Sequence, residues 1–415
     1  MTCRSPARLF ALRAVFFLLF LCFCAILPAR AGDDRPKITL WTGMTEIKPL
    51  RQMAEEFSRE KNVKVEIVPI PFSELQTKFQ IASPAGLGPD LITGPHNWVG
   101  PFAIAKLITP IGPYLADKKS PAQFHPKAIE GLTLNGKLYG LPFSIEAIAL
   151  IYNRNLLQSP PKTFEEIVRQ ARSLTRAQTP EQWGFLFEVN NFYFAWPFFA
   201  AKGVTIFGKT PQGYDYNAVG LDSDMAVQAS LMLRDLVEKE RLIPSGINTD
   251  MVNGLFQEGR VAMVLNGPWV LGKLRESGLP YGVSRIPPFA NGQTPQPFLG
   301  VQGVFLNRRS RIKKAAFEFA QYLNTKKGQL ALFAAGGRIP ARMDALRQVS
   351  SDPDIRAFAE SAQNAAAIPN IPAMTQVWPF MEQALKLINS GKADPATVLR
   401  RYAGQIRDAI RNMME

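Results

Sequence analysis

One carboxylate inside an otherwise apolar stretch is the first candidate for chemistry in this sequence. The stretch Leu141–Asn153 has the sequence LPFSIEAIALIYN, and Glu146 is its only charged residue. The apolar run predicts a buried strand, in which an ionised carboxylate is costly unless a partner or a ligand donates hydrogen bonds to it. We therefore predict that Glu146 faces a gap between two lobes. The alternative is an acid at a strand end that faces solvent.

Aromatic residues beside sequence breaks supply a second kind of chemistry. They stand next to proline, glycine or asparagine, where loops and element ends are expected: Trp98, Tyr193, Trp196, Trp269 and Trp378. An aromatic ring suits the apolar face of a sugar, while carboxylate and amide groups bind its hydroxyl rim. The combination predicts a carbohydrate-binding cleft, with ordinary core packing as the alternative for any single ring.

Signals for catalysis are weak in this chain. Its two histidines, His96 and His125, lie on separate predicted loops and lack the spacing of a metal site. No nucleophile motif or phosphate-binding glycine loop is present. Glycoside hydrolysis needs two carboxylates across the scissile bond, and Glu146 has no evident partner in the sequence. We expect no catalytic residue, no metal and no cofactor, and keep a secreted glycan-active enzyme as an alternative.

The N-terminal residues 1–31 are expected to be an export signal rather than part of the fold. Three arginines precede an apolar core, Ala14–Pro28, which is followed by the small-x-small sequence Ala29-Arg30-Ala31. The run is short for a membrane anchor, so cleavage after Ala31 is expected. Cleavage removes all three cysteines and lowers the formal net charge from +14 to +10. A cysteine-free exported chain fits a bacterial periplasm.

The basic residues that remain are scattered, apart from one cluster between Arg308 and Lys314. A solvated face explains this cluster better than a nucleic-acid groove does, so no nucleic-acid partner is expected.

Alternating strand and helix patterns must position the candidate residues. The mature N-terminal part predicts, in order, strand Lys37–Trp41, helix Lys48–Lys61, strand Val63–Val68, an amphipathic segment Phe72–Ala82 and a strand ending at Ile92. This order indicates an α/β lobe with a largely parallel sheet. Because a mature chain of about 384 residues is too long for one core, two domains are expected.

Later patterns predict further local structure. Helices are expected at Met225–Lys239, Lys313–Asn324 and Gly328–Ala335, and Thr163 is expected to be the N-cap of a helix that runs to about Thr175.

Motifs along nearly all of the mature chain resemble one family, the periplasmic maltose/maltodextrin-binding proteins, which are family 1 extracellular solute-binding proteins of sugar ABC importers. The matching segments, in order, are Gly88–Ile92, Asn135–Leu138, Ser144–Ala147, Leu150–Asn153, Pro160–Thr163, Tyr193–Pro197, Ala262–Trp269, Pro297–Val301 and Ile368–Met374 with Trp378. Their order and spacing make the resemblance specific.

The resemblance implies an α/β, two-lobe periplasmic-binding-protein fold (type II), with discontinuous lobes joined by three hinge crossings. The crossings map to residues near Ser144–Ala147, Leu299–Gly303 and Arg347–Asp354. The first lobe then comprises residues 32–145 plus 304–347, and the second comprises residues 148–299 plus 354–415. A ligand would bind in the cleft, and the hinge would close around it.

The resemblance also implies roles for individual residues. Glu146 matches the inter-lobe carboxylate that bonds sugar hydroxyls. Tyr193, Trp269 and Trp378 match three aromatic residues that stack on successive glucose rings.

Several polar positions differ from the family pattern. The family's first-loop aspartate–lysine pair is replaced by Thr45-Glu46, and the next loop has Gly94 for a tryptophan, Asn97 for an aspartate and Trp98 for an arginine. In the second lobe, Asn191 stands for a glutamate and Glu382 for an arginine. We expect Asn97, Trp98 and Asn191 to contact the ligand, with Trp98 replacing the lost tryptophan by stacking from a shifted position.

The expected function is therefore capture of maltose or a maltodextrin in an inter-lobe cleft and its delivery to an inner-membrane ABC permease by a monomeric periplasmic protein. Because hydroxyl-binding residues decide which sugar is accepted, another oligosaccharide such as trehalose or a related glucoside is the alternative ligand.

Overall fold

The computed structural model describes residues 35–44, 46–115, 117–176, 181–211, 213–363 and 365–414. The predicted export signal, its cleavage after Ala31 and the first-loop residue Thr45 lie outside the described residues. The described residues from Ile38 onward belong to one unit of the chain.

Strands and short helices alternate along most of the chain. The strands are β1 Lys37–Thr42, β2 Lys64–Pro69, β3 Leu91–Pro95, β4 Thr133–Leu134, β5 Lys137–Leu138, β6 Gly140–Glu146, β7 Ala149–Asn153, β8 Trp183–Leu186, β9 Phe207–Thr210, β10 Gly213–Val219, β11 Val261–Asn266, β12 Tyr281–Ser284, β13 Phe298–Leu306, β14 Ile339–Pro340 and β15 Ala366–Ala367.

The α-helices are α1 Ile47–Lys61, α2 Phe72–Ala82, α3 Val99–Ile104, α4 Pro126–Gly131, α5 Phe164–Leu174, α6 Phe192–Ala201, α7 Asp224–Glu238, α8 Thr249–Gln257, α9 Leu271–Ser277, α10 Lys313–Leu323, α11 Lys326–Gly336, α12 Met343–Val349, α13 Pro353–Ala362, α14 Met374–Asn389 and α15 Pro395–Met414. In the part of the chain that the structure describes, no helix is both long and apolar enough to span a membrane.

Two larger sheets organise the strands. The first has the order β14-β6-β13-β3-β1-β2, with β15 paired to β13, and the second has the order β12-β7-β11-β8. In the first sheet β1 and β3 are parallel, but β13 runs antiparallel to both β3 and β6. The prediction of a largely parallel sheet is therefore wrong, because a strand from much later in the sequence enters between β3 and β6 in the opposite direction. The sheet is mixed.

Each sheet carries its own hydrophobic core. The core of the first sheet includes Phe57, Phe79, Phe102, Phe305 and Phe317. The core of the second includes Phe185, Phe198, Leu233, Met263 and Leu385. Two cores agree with the two domains expected from the chain length, while the predicted domain boundaries stay predictions.

The chain passes directly between the two sheets at the stretch that contains Glu146. Strand β6 belongs to the first sheet and β7 to the second, and only the buried residues Ala147 and Ile148 separate them. Strand β13 also serves both cores, since Phe298 packs in the second core and Phe305 in the first. Both stretches contribute to the candidate site.

Local sequence signals account for the helix ends. Helix α1 ends at Asn62, whose φ of 51° lies in the left-handed region that asparagine tolerates. The Thr163 hydroxyl oxygen accepts a hydrogen bond from the backbone N–H of Glu166 at 3.2 Å, which confirms the predicted N-cap. The helices predicted at Met225–Lys239 and Lys313–Asn324 are confirmed to within one residue at either end.

Candidate functional site

Polar residues lie at or after the carboxyl ends of three strands of the first sheet. Glu46 follows β1, Asn97 follows β3, and Glu146 ends β6. A hydrogen bond of 2.8 Å from the Thr93 hydroxyl to the Thr42 hydroxyl ties the ends of β1 and β3. This edge is where ligands bind in α/β sheets, because loops from several strands converge there.

Glu146 is buried and has partners, as the prediction from its apolar surroundings requires. Its side chain accepts a hydrogen bond from Gln302 Nε2 at 2.8 Å and lies 3.5 Å from Arg338 Nη1. Burial raises the pKa of Glu146, while Arg338 and Gln302 oppose that rise. The alternative of an acid that faces solvent is wrong, since only 7% of Glu146 is exposed.

A second buried carboxylate lies beside the first. Arg338 Nε donates a hydrogen bond of 3.0 Å to Oε1 of Glu46. The other oxygen, Oε2 of Glu46, is buried and has no hydrogen-bond partner among the described residues. Arg338 thus joins two acids, and only 10% of its side chain is exposed.

The three predicted stacking residues are linked by ring contacts, two of which are made to Phe298, a residue that sequence reasoning missed. The ring centroid of Phe298 lies 5.9 Å from that of Tyr193 and 5.8 Å from that of Trp378, and Tyr193 lies 6.2 Å from Trp269. Phe298 is fully buried, whereas Tyr193, Trp269 and Trp378 are each partly exposed. We call these three residues the aromatic platform, because each retains ring surface that a ligand can cover.

Trp196 does not join the aromatic platform. Its ring stacks on Phe298 with a centroid distance of 4.8 Å and an interplanar angle of 5°, and only 4% of the residue is exposed. Trp196 therefore packs in the core, which was the alternative expected for any single ring.

Tyr193 connects the aromatic platform to the carboxylates. Burial raises the pKa of Tyr193, and the negative charge of Glu146 raises it further. The Tyr193 hydroxyl is buried and has no hydrogen-bond partner among the described residues. An apolar surface and unpartnered polar atoms therefore meet at one place, as a sugar with apolar faces and a hydroxyl rim requires.

Asn191 positions Tyr193. It is the N-cap of α6, and its Oδ1 accepts a hydrogen bond of 3.0 Å from the Tyr193 backbone N–H. Its Nδ2 donates to Glu188 at 3.2 Å. Glu188 in turn raises the pKa of the partly buried Glu382, although burial is the larger cause. Contact between Asn191 and a ligand stays a prediction.

Trp98 and Asn97 lie at the end of the first sheet but are largely covered. The Trp98 ring stacks on Phe72 at 5.7 Å and packs against Phe102 at 5.6 Å, with 5% of the residue exposed. It also fills the space beside Gly94, where a Cβ would lie 2.2 Å from the ring. Asn97 is 7% exposed. The structure thus places Trp98 in the first core rather than on the aromatic platform, and its contact with a ligand stays a prediction.

His96 joins three distant parts of the chain. Its Nδ1 accepts a hydrogen bond of 3.1 Å from the Val301 backbone N–H, and its Nε2 lies 3.0 Å from the Ile368 carbonyl oxygen. The ring therefore carries its proton on Nε2 and donates it to Ile368. Burial lowers the pKa of His96 to about 4, although both backbone hydrogen bonds act in the opposite direction.

Comparison with known proteins identifies the family and the fold. Residues 41–330 match the family model described as bacterial extracellular solute-binding protein. The maltotriose-binding protein of Thermus thermophilus, solved with maltotriose bound, is 35% identical and superposes with a TM-score of 0.86, covering 90% of this chain and 100% of that one. The resemblance inferred from the motifs is confirmed, and so is the two-lobe α/β fold that it implies.

Two further relatives are similar over most of their length. The galactooligosaccharide-binding protein of Bacillus subtilis is 26% identical over 92% of this chain and 91% of its own. The maltotriose-binding protein of Pyrococcus abyssi is 29% identical over 91% of this chain and 82% of its own. The three relatives are named for a sugar that they bind, and not for a reaction.

Replacement of Trp98 tests whether this ring belongs to the core. We expect Trp98→Ala to lower the free energy of unfolding by about 3–5 kcal/mol, because it empties a packed site. Phe72→Ala is the matched control, since Phe72 is 53% exposed and should lose no more than about 1.5 kcal/mol from its ring contact. Urea denaturation measures both. Equal small losses would show that Trp98 does not pack in the core.

Titration of His96 gives a stability prediction with a defined sign. Its pKa falls from 6.5 to about 4 on folding, so between these pH values the unfolded chain binds a proton that the folded protein does not. The free energy of unfolding should therefore fall as the pH drops through this window, by roughly 3 kcal/mol for this group. His96→Gln should lack this part of the decrease.

His125→Gln is the comparison variant: burial lowers the pKa of His125 as well, but this side chain is only partly buried, so the variant should lose less of the pH dependence than His96→Gln. Denaturation between pH 7 and pH 4 compares the three proteins. A His96→Gln variant with the same pH dependence as the parent would contradict the prediction.

Proposed function

We propose that this chain, which belongs to the family of bacterial extracellular solute-binding proteins, captures a maltodextrin or a related oligosaccharide between its two lobes. It then releases the sugar unchanged to an ABC importer. The observation that carries this proposal is the aromatic platform next to two buried carboxylates. Maltose and short maltodextrins are the leading ligands.

The aromatic platform supplies the apolar contact. Tyr193, Trp269 and Trp378 come from three separate elements of the second sheet's lobe; Tyr193 and Trp378 contact Phe298, and Trp269 contacts Tyr193. Partly exposed rings bury further apolar surface when a sugar ring covers them. Three rings in one group favour a ligand of more than one sugar unit.

The carboxylates supply the polar contact. Glu146 and Glu46 are hydrogen-bond acceptors, and hydroxyl groups of a neutral sugar are donors. Because a buried polar atom without a partner is unfavourable, a hydroxyl group that reaches the unpartnered oxygen of Glu46 gains a charge-assisted hydrogen bond.

Closure of the two lobes is the proposed means of capture. The proposed first lobe comprises residues 32–145 plus 304–347, and the second comprises residues 148–299 plus 354–415. The stretches that join them include the two-residue link between β6 and β7. A ligand held by residues of both lobes binds the closed form better than the open form, and closure is favoured by that difference.

The geometry favours binding over hydrolysis. A glycosidase holds its two carboxylates on opposite sides of the scissile bond. Here Glu46 and Glu146 both contact the guanidinium of Arg338, so an arginine side chain joins the two carboxylates where a glycosidase would hold the scissile bond. We therefore propose that the protein is a non-enzymatic, monomeric receptor. It would be located in the periplasm after removal of residues 1–31, and its partner would be an inner-membrane ABC permease. Formation of a product from maltotriose would overturn this part of the proposal.

The names of the relatives support an oligosaccharide ligand more firmly than one particular sugar. Two of them are named for maltotriose and one for galactooligosaccharides. A different oligosaccharide, such as trehalose or a related glucoside, is the second candidate ligand.

Calorimetric titration of the mature chain from Gly32 with maltose, maltotriose, trehalose and sucrose tests the proposal. We expect saturable binding of the maltodextrins, and an increase of Kd by about tenfold or more in Trp269→Ala and in Trp378→Ala, since each loses a stacking surface. Trp183→Phe, on β8 outside the aromatic platform, should keep the parent affinity. Binding of trehalose or sucrose alone would change the ligand, and no response to any sugar would contradict the proposed function.

A further inference from the structure

We propose that Arg338 is a positioning residue of the ligand site: it holds Glu46 and Glu146 side by side as hydrogen-bond acceptors, and the unpartnered oxygen of Glu46 receives a hydroxyl group of the oligosaccharide. This inference rests on the proposed function and names the part of the site that selects neutral, hydroxyl-rich ligands.

The fold places Arg338 opposite Glu146. Helix α11 ends at Gly336, and Gly337 turns the chain in a left-handed conformation with φ of 78°. Strand β14 then pairs antiparallel with β6, with Ile339 opposite Ile145. Because the next pair in this register is Arg338 and Glu146, the guanidinium is brought to the carboxylate by backbone pairing, not by a flexible surface contact.

The same turn also accommodates Glu46. A Cβ at Gly336 would lie 2.0 Å from Oε1 of Glu46, so only glycine leaves room for this carboxylate beside Arg338. The hydrogen bond of 3.0 Å from Arg338 Nε to that oxygen fixes one side of the carboxylate. Its other oxygen is buried without a partner among the described residues. The turn and Arg338 thus hold Oε2 of Glu46 in place as a hydrogen-bond acceptor.

The charges of this centre are unbalanced in a way that suits a hydroxyl donor. Two carboxylates share one guanidinium, and the Glu46, Glu146 and Arg338 side chains are respectively 1%, 8% and 10% exposed. A neutral sugar hydroxyl can donate to such a centre. An anionic sugar, such as a uronate or a sugar phosphate, would add a further negative charge to a poorly solvated site.

Arg338 also favours the ionised form of Glu146. The groups that interact electrostatically with Glu146 are Arg338, Glu46 and, from the second sheet's lobe, Tyr193, while Gln302 donates a hydrogen bond. Among these, Arg338 is the cation. Without it, burial and the neighbouring charge of Glu46 would raise the pKa of Glu146 further, so the Glu146 carboxyl would take up a proton at a higher pH. A protonated carboxyl donates one of its hydrogen bonds and accepts less well.

The experiment compares Arg338→Gln with the parent for maltotriose affinity between pH 5 and pH 9. Arg342→Gln is the matched control, because Arg342 lies four residues further on and pairs with the more exposed Asp344 at 2.9 Å. We expect Arg338→Gln to raise Kd at least thirtyfold at pH 7, with an affinity that changes across this pH range. The parent and Arg342→Gln should show similar, nearly flat profiles.

Two further variants separate positioning from folding. Arg338→Lys should restore an affinity that is nearly independent of pH, since lysine returns the positive charge. Its affinity for maltotriose should stay below that of the parent, because the planar guanidinium is lost. Glu46→Gln should raise Kd about tenfold without introducing a pH dependence, because only one carboxylate is left. An equal loss at every pH in Arg338→Gln, with no rescue by lysine, would overturn the proposal.

A measurement in the absence of sugar tests the role of Arg338 separately from the proposed function. Carbon-13 NMR of glutamate-labelled protein follows the Glu146 carboxyl, assigned with Glu146→Gln. Its titration midpoint should rise by at least one pH unit in Arg338→Gln and stay unchanged in Arg342→Gln. An unchanged midpoint in Arg338→Gln would overturn the role of Arg338 even if the parent binds maltotriose. Failure of the parent to bind any sugar, with the midpoint shifted as expected, would overturn the acceptor role toward sugar and the proposed function together.

Discussion

The sharing of one buried guanidinium by two buried carboxylates is the interaction on which the site depends. An isolated charge at this depth would cost several kcal/mol, so a buried ion pair needs a cation and hydrogen bonds beside each carboxylate. Arg338 supplies the cation and Gln302 one of the hydrogen bonds. Among the described residues one oxygen of Glu46 has no hydrogen-bond partner, and we propose that this oxygen gives the site a preference for a hydroxyl donor.

The fold brings these groups together through a single strand. β13 lies between β3 and β6 in the first sheet and carries Gln302 to Glu146. At its other end Phe298 organises the aromatic platform in the second core. Polar and aromatic halves of the site thus depend on the register of one buried strand. His96 secures the same strand through its hydrogen bond from Val301.

Local sequence patterns predicted the features that depend on interactions between residues near one another in the chain. Helix α1 and the cap at Thr163 follow from apolar spacing and side-chain chemistry within a few residues. The burial of Glu146 follows from the apolar run around it. The family resemblance added the group Tyr193, Trp269 and Trp378, which a series of ring contacts through Phe298 and Tyr193 links in the structure.

Contacts between distant residues were not predictable in the same way. Arg338 meets Glu46 across 292 residues and Glu146 across 192, and no local pattern marks a single arginine after two glycines as a partner of buried acids. The sheet is mixed because β13 returns from far along the chain. Trp98 looked like a loop residue beside Pro95-His96-Asn97, but Gly94 opens a space that its ring fills.

A crystal structure of the mature chain with maltotriose tests the central claim most directly. The account predicts sugar rings over Tyr193, Trp269 and Trp378, and one hydroxyl group within hydrogen-bond distance of the free oxygen of Glu46. Maltotriose bound elsewhere on the protein, or in the cleft with that oxygen still unpartnered, would contradict it.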